Sequence, residues 1–339
     1  MKKRAIEYVR CPKTGEPLEI FELKEIEGDD ILTGKLKNSS GDIYNIENGI
    51  PDLITDQDLV GDAVFARNYY KSIAESYDKN VNITFKLYFE DELKVRNYLI
   101  DLLEMNPNDR VLEVSAGTGK DSELILGRMS EKGELICLDI SPDMLSYAKK
   151  KLSKFPNYTE VVSGSACNLP FEDNSFDRLF CFAGVGHFPS VEKGLKEMAR
   201  VVKPGGKVVF CEKNVPEWLR HTTYGKILIN NNPMFVYDVP LRYIPVEARN
   251  VGVRWIIGNV HYVVDYVVGE GEPKGNFDME LPGERGGTFN TRYFGKIEGV
   301  SNEAKKLVQI AARKTGKSMY QWLDDIIKSE ANKINNDSL

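Results

Sequence analysis

The chain has 339 residues, of which 42% are hydrophobic and 28% charged, and this composition excludes a disordered or low-complexity protein. Its 45 Lys and Arg residues against 51 Asp and Glu residues give a net charge of −6, so no global basic field attracts nucleic acid. The sequence predicts a cytoplasmic protein without a membrane span. It has five scattered cysteines, no apolar run of 18 residues and no apolar signal-peptide stretch.

Residues 1–58 are predicted to form a small β domain. LEIFEL and GKLKN alternate with a period of two, and polar turns follow at 27–30 and 38–41. The strings YVRCPKTGEPLEI and GDIYNIENGIPDLI resemble a zinc-ribbon-like domain, a family that holds its metal with two cysteine pairs. Here only Cys11 remains: Thr14 stands in place of its partner, and residues 38–40 stand where the second pair belongs. One thiolate cannot close a tetrahedral zinc site, so a metal-free domain is expected.

Residues 59–270 alternate between apolar runs and amphipathic stretches. The predicted strands are 110–114, 134–138, 159–163, 176–182 and 207–211, and the predicted helices are 120–130, 142–153 and 190–202. The strings VGVRWII and VHYVVDYVV flank Gly258-Asn259, which is a hairpin signal. The pattern predicts an α/β fold, in which a parallel sheet covered by helices is finished by an antiparallel hairpin.

A ligand site is indicated where the first two of these strands end. The string RVLEVSAGTG brings Glu113 and a turn with Gly117 and Gly119 to the edge of the sheet where open α/β folds bind ligands. Asp139 ends the second strand 20 residues beyond Gly119, and an acid there can accept both hydroxyls of a ribose. Ser122 occupies the place of the third glycine in a dinucleotide fingerprint, which favours a nucleoside over a pyrophosphate ligand.

Four strings in this region occur in the order and spacing of a known family: VLEVSAGTG, LDISPDMLSYAKKKL, GSACNLPFEDNSFDRLFCF and KEMARVVKPGGKVVFCEK. Over about residues 65–215 the chain resembles the class I S-adenosylmethionine-dependent methyltransferases, close to the subgroup of ubiquinone/menaquinone and arsenite-type enzymes. The resemblance implies a Rossmann-like fold and S-adenosylmethionine as the cofactor.

The resemblance also implies roles for individual residues. Glu113 and the loop Ser115, Ala116, Gly117 and Gly119 would hold the methionine part of the cofactor, and Asp139 would bind the ribose. Ile140 and Met144 would pack on the adenine, Ala166 would face its edge, and Phe182 and Ala183 would line the far side. Ser115 replaces the usual first glycine of the loop, and Ser165 replaces the acid that commonly binds the adenine amino group.

Methyl transfer requires alignment of the acceptor with the methyl group, and a general base only if the acceptor must lose a proton. His187, just after the fourth strand, is the candidate base, and a loop histidine bonded to backbone is the alternative. Tyr77 and Tyr70 resemble the family's N-terminal helix that closes over the cofactor. An aromatic-rich stretch at 213–268 is a candidate acceptor pocket, although core packing accounts for many of its rings.

A polar, glycine-rich linker at 271–290 precedes a C-terminal strand-helix-helix module at 291–339. TRYFGKIEGV is predicted to be extended, and apolar residues at helical spacing predict two helices that meet at Gly316-Lys317-Ser318. The module resembles the ribbon-helix-helix fold, which exists as an intertwined dimer. Its base-reading positions would be Gly295, Ile297 and Gly299, which offer no side-chain hydrogen bonds, so a homodimerisation module is favoured over a DNA reader or a monomeric helical addition.

These features predict a cytoplasmic S-adenosylmethionine-dependent methyltransferase of a small molecule, with a homodimeric tail and no bound metal or membrane partner. An RNA methyltransferase is the first alternative, because zinc-ribbon-like domains accompany such enzymes, and the acidic charge balance argues against it. A cofactor-sensing DNA-binding regulator is the second alternative.

Overall fold

The computed structural model of the chain describes residues 1–283, 286–294 and 300–336. Its contacts divide the chain into two compact units, Met1–Pro273 and Lys274–Leu339, each described here by itself.

The N-terminal part of the first unit is a four-stranded antiparallel sheet, as its alternating sequence predicted. The strands follow one another in the order β1 (Glu19–Glu27), β2 (Asp30–Lys37), β3 (Ile43–Glu47) and β4 (Ile50–Pro51). At the positions that the family's cysteines occupy, the Asn38 amide donates to the Cys11 sulfur at 3.3 Å and to the Thr14 hydroxyl at 3.3 Å. Hydrogen bonds therefore join the positions that zinc ligands occupy in the ribbon family, and the metal-free state of this domain stays a prediction.

The rest of the first unit is built on a seven-stranded sheet, and the predicted α/β fold is confirmed. Its strands are β5 (Arg110–Val114), β6 (Glu134–Asp139), β7 (Tyr158–Ser163), β8 (Phe176–Phe182), β9 (Val202–Lys213), β10 (Ala248–Ile256) and β11 (His261–Val268). They are ordered β10-β11-β9-β8-β5-β6-β7, and β11 alone runs antiparallel to both of its neighbours. The strand order reverses between β5 and β8, and this switch point opens a crevice at their carboxyl ends.

Helices cover both faces of the large sheet. The helices of the first unit are α1 (Asp62–Ile73), α2 (Tyr77–Asn80), α3 (Ile83–Leu87), α4 (Glu92–Asp101), α5 (Lys120–Leu126), α6 (Pro142–Leu152), α7 (Val191–Val201), α8 (Glu217–Arg220) and α9 (Thr223–Asn231), of which α8 and α9 pack in a small cluster of their own. The predicted start of α6 is confirmed, because the Ser141 hydroxyl accepts a hydrogen bond from the Met144 backbone N–H at 3.3 Å. The helix predicted over 120–130 ends earlier, at Leu126, where Gly127 follows.

Successive side chains of β5 point alternately toward the two faces of the large sheet. Leu112 and Val114 belong to one apolar core, and Val111 belongs to the core on the opposite face. Glu113 shares the Val111 side because successive side chains of a strand point to opposite faces. It therefore lies beneath helices rather than at the open edge of the sheet.

The second unit contains α10 (Phe289–Phe294), α11 (Asn302–Thr315) and α12 (Met319–Asn336). The two predicted helices are confirmed, and so is the capping box, in which Ser318 and Gln321 exchange hydrogen bonds at 3.0 and 3.2 Å. The extended stretch predicted from Thr291 is wrong at 291–294, which are helical. The Thr288 hydroxyl accepts the Thr291 backbone N–H at 3.1 Å and so caps this turn, and the last two residues of the predicted linker belong to it.

The base-reading positions Gly295, Ile297 and Gly299 lie outside the described residues. Within the described ranges, no helix is both long enough and apolar enough to cross a membrane.

Candidate active site

The loop between β5 and α5 adopts backbone conformations that favour glycine. Ser115, Gly117 and Gly119 have φ angles of +59°, +53° and +77°. A Cβ on Gly119 would lie 3.2 Å from the Ala148 Cβ, so this glycine lets α5 approach α6 closely. The loop therefore exposes its backbone at the carboxyl edge of the sheet.

Ser115, the predicted departure from a family glycine, is accommodated by a glycine elsewhere. A Cβ on Gly184 would lie 2.0 Å from the Ser115 Oγ and 2.5 Å from its Cβ. The two residues share a space that holds only one side chain.

Gly184→Ala should consequently destabilise the fold by about 1–3 kcal/mol, the usual cost of overpacking. Ser115→Gly removes the obstructing atoms, so the double variant should recover most of the loss. Urea unfolding of the four proteins measures this coupling. Equal destabilisation in the single and double variants would show that the two side chains do not compete for this space.

Asp139 ends β6 with both carboxylate oxygens held by backbone. The Gly117 N–H donates to Oδ2 at 2.8 Å and the Ser141 N–H donates to Oδ1 at 2.9 Å. Burial raises the pKa of Asp139, and these N–H donors offset part of that rise. The carboxylate is thus fixed in orientation, and each oxygen keeps a lone pair for a ligand.

An open cavity of about 660 Å³ lies over this edge of the sheet, at the carboxyl ends of β5, β6 and β8. We call it the first cavity. Eleven of the fourteen predicted site residues line it: Tyr77, Ser115, Gly117, Asp139, Ile140, Met144, Ser165, Ala166, Phe182, Ala183 and His187. The structure thus brings together residues from five separate segments of the sequence.

The other three predicted residues lie elsewhere. Ala116 lines a neighbouring cavity, and Gly119 lies at the start of α5. Glu113 is 2% exposed and accepts a hydrogen bond from the Ser122 hydroxyl. Burial, together with the nearby Asp121, raises the pKa of Glu113 well above its ordinary value.

Tyr70 and Tyr77 line one side of the first cavity. Their rings lie 6.1 Å apart at 74°, and burial raises the pKa of Tyr77 to about 12, so its phenol stays protonated. Asp78 holds the helix that carries Tyr77 in place. Its carboxylate accepts hydrogen bonds from the Thr118 hydroxyl at 2.5 Å and from the Lys151 ammonium at 2.7 Å. Asp78 was not predicted from the sequence, although it directly follows Tyr77.

His187 is half-buried in the cavity wall, where its ring meets that of Tyr70 at 6.1 Å and 90°. Glu212, also missed from the sequence, lies 3% exposed at the end of β9 and accepts the Gly186 N–H at 3.0 Å. Burial acts to raise the pKa of Glu212, but Lys213, backbone N–H donors and His187 outweigh it and hold that pKa below its ordinary value. The sequence feature that could have indicated Glu212 is an acid directly after the apolar run VVFC.

A second cavity shares six lining residues with the first: Tyr70, Tyr77, Ser115, Gly117, Phe182 and Ala183. Its other walls carry the aromatic Phe85, the neutral Thr84, the cationic Lys213 and the ion pair of Arg96 with Asp121, as well as His261. Burial and the nearby Lys213 lower the pKa of His261 to about 3, so this ring is neutral near pH 7. The two cavities together offer a nucleoside-sized site beside a mixed apolar and polar one.

The model of the ubiE/COQ5 methyltransferase family matches residues 59–228, about half of the chain. This chain belongs to the ubiE/COQ5 methyltransferase family. Its cofactor is S-adenosylmethionine, which confirms the expectation drawn from the sequence motifs. The fixed Asp139 carboxylate suits a ribose diol, and the apolar Ile140, Met144 and Ala166 suit an adenine ring, so the donor set of the first cavity fits this cofactor.

Relatives of known name agree with the family. The chain is 33% identical over 148 residues to demethylmenaquinone methyltransferases of Bacillus cereus (strain AH187) and Bacillus anthracis, which covers 43% of this chain and 61% of each relative. Among solved structures, it is similar to an S-adenosylmethionine-dependent methyltransferase from Aquifex aeolicus, with a TM-score of 0.38 and 20% identity over 51% of this chain and 89% of the other. A protein from Pyrococcus horikoshii OT3 gives a TM-score of 0.42 and 21% identity, covering 53% and 93%.

Proposed function

We propose that the chain transfers a methyl group from S-adenosylmethionine to a small-molecule acceptor. The observation that carries this proposal is the convergence of eleven predicted site residues on one cavity, whose lining includes the Asp139 carboxylate. Relatives named for a small quinone acceptor, demethylmenaquinone, support the same class of acceptor. When bound, the cofactor supplies an electrophilic methyl group on a sulfonium.

In this proposal each wall of the first cavity serves one part of the cofactor. Asp139 accepts the ribose hydroxyls, while Ile140 and Met144 pack on the adenine. Ser165 offers a hydroxyl to the adenine edge; its oxygen already accepts the Cys167 N–H at 3.2 Å, so its proton stays available. The backbone at Ser115 and Gly117, together with Tyr77, receives the methionine end, with Ala116 beside them in the wall of the second cavity.

The acceptor would enter the second cavity, which meets the first at Tyr70, Phe182 and Ala183. Its aromatic walls suit an apolar body, and Lys213 and Thr84 supply polar contacts that fix an orientation. The chain's contribution is then to align the acceptor, exclude water and take up a proton where the acceptor has one to lose. His187 is the residue placed for that last role.

A labelling experiment tests both the activity and the class of acceptor. The chain is incubated with S-adenosylmethionine carrying tritium in its methyl group and with either the small-molecule or the RNA fraction of cells that express it. We expect label in the small-molecule fraction, and much less of it when Asp139→Ala replaces the wild type at a cofactor concentration below the wild-type Kd. Label in RNA would contradict the acceptor class, and no label in either fraction would contradict the activity.

We also propose a cytoplasmic location, supported by five cysteines that are all free and buried.

We further propose that the C-terminal unit forms a homodimer. Within that unit, Leu307, Ile310 and Ile327 are between 51% and 64% exposed, and a second copy would cover them. The full chain should sediment as a dimer at tens of micromolar, and a chain truncated after Pro273 should sediment as a monomer. A monomeric full chain, or a dimeric truncated one, would contradict this proposal.

A further inference from the structure

The segment that follows β4 touches two walls of the first cavity at once. The Asp52 Oδ1 accepts the Ser163 hydroxyl at 2.7 Å, and its Oδ2 accepts the Arg67 guanidinium at 2.9 Å. Ser163 ends β7 directly before Gly164, Ser165 and Ala166, which line the cavity. One carboxylate of the N-terminal β domain therefore joins the adenine-side loop to helix α1.

Helix α1 packs through the buried Ala63 and Ala66, and the Asp52 contact adds a polar link to this packing. Ala66 and Tyr70 of this helix line the cavity, and Arg67 lies between them in sequence. Among the residues that the structure describes, no side-chain hydrogen bond caps the N-terminus of α1, and the buried Arg67 Nη1 atom has no hydrogen-bond partner. The ion pair with Asp52 is thus the contact that orients the Arg67 side chain.

A second carboxylate of the same segment holds the same loop. Asp58, 1% exposed, accepts the Asn168 amide at 2.5 Å and the Thr55 hydroxyl at 2.6 Å. The backbone adds a further link, since the Leu53 N–H donates to the Ser163 carbonyl at 2.8 Å. The 52–58 segment is therefore built as a connection between the β domain and the cavity.

We propose that Asp52 is a positioning residue of the cofactor site, through which the N-terminal β domain holds α1 and the 163–166 loop in the arrangement that receives the cofactor. This inference rests on the proposed function, because it presumes that the first cavity binds S-adenosylmethionine. It assigns the N-terminal domain a part in cofactor binding.

Asp52→Asn tests the proposal, because the amide oxygen can still accept the Ser163 hydroxyl while the charge that faces Arg67 is lost. We expect the calorimetric Kd for S-adenosylhomocysteine to rise about two- to fivefold, a modest effect because the pair is partly exposed. Amide hydrogen exchange should accelerate in α1 and stay unchanged in β5. Asp56→Asn, an exposed acid of the same segment, is the matched control and should bind as the wild type does.

Variants of Arg67 separate positioning from general stability. Arg67→Lys keeps the charge and should retain most of the affinity, whereas Arg67→Met should lose as much as Asp52→Asn. The double variant Asp52→Asn/Arg67→Met should be no worse than either single variant if both act through one bond. Unchanged affinity in Asp52→Asn, equal loss in Arg67→Lys and Arg67→Met, or additive losses in the double variant would each overturn the inference. A wild type that fails to bind S-adenosylhomocysteine would instead overturn the proposed function.

Discussion

Asp139→Ala should weaken the binding of S-adenosylhomocysteine by about 10- to 150-fold, corresponding to the roughly 1.5–3 kcal/mol of hydrogen bonds to a charged group. Asp139 is the one carboxylate among the described residues that line the first cavity, and the N–H groups of Gly117 and Ser141 fix its orientation. A ribose would therefore lose an acceptor that is already in place. Isothermal titration calorimetry measures the effect.

Two further variants make this prediction specific. Asp139→Asn keeps the shape of the side chain and should lose less affinity than Asp139→Ala. Asp143→Ala removes a neighbouring acid that lies outside the cavity lining, and it should bind as the wild type does. Wild-type affinity in Asp139→Ala would remove Asp139 from the site.

The same carboxylate gives binding a pH dependence of known sign. Burial raises the pKa of Asp139, so protonation begins at a higher pH than for an exposed aspartate. A protonated carboxyl accepts fewer hydrogen bonds, so affinity should fall as the pH is lowered through that raised pKa. Asp139→Ala should lack this fall, and a fall of the same size in the variant would assign it to another group.

His187→Gln should lower the rate of methyl transfer by about 10²- to 10⁴-fold, the contribution typical of a general base. His187 lies in the wall of the first cavity, and the neighbouring buried Glu212 places a negative charge that would stabilise a protonated imidazole. The affinity for S-adenosylhomocysteine should change little, because glutamine keeps the size and polarity of the side chain. Single-turnover kinetics with the acceptor found by labelling separates the two effects.

His221→Gln is the matched control, since His221 is exposed and lines neither cavity. It should react at the wild-type rate. Wild-type turnover in His187→Gln would show that the reaction uses no base at this position.

The parts of the fold that local patterns determine could be predicted from the sequence. Apolar runs located five parallel strands and the hairpin, and the distance of 20 residues from Gly119 indicated Asp139 as a strand-end acid. Local chemistry decides such features, because the period of apolar residues and the chemistry of caps act over a few residues.

Features that depend on distant contacts could not be predicted in this way. Glu113 was expected beside the cofactor, but the alternation of β5 turns it beneath the helices. Gly184 leaves room for the Ser115 side chain, although the two residues are 69 positions apart in sequence. The hydrogen bond between Asp52 and Ser163 joins residues 111 positions apart. No local sequence pattern predicts contacts between residues so far apart. In the C-terminal unit, the composition of TRYF favours a strand, but the Thr288 hydroxyl caps a helical turn there.

The crystal structure of the chain with S-adenosylhomocysteine tests the central claim most directly. We expect the adenosyl group in the first cavity, with both ribose hydroxyls about 2.5–3.0 Å from the Asp139 carboxylate and the adenine against Ile140 and Met144. A ligand bound elsewhere, or one in this cavity whose ribose makes no contact with Asp139, would contradict the account.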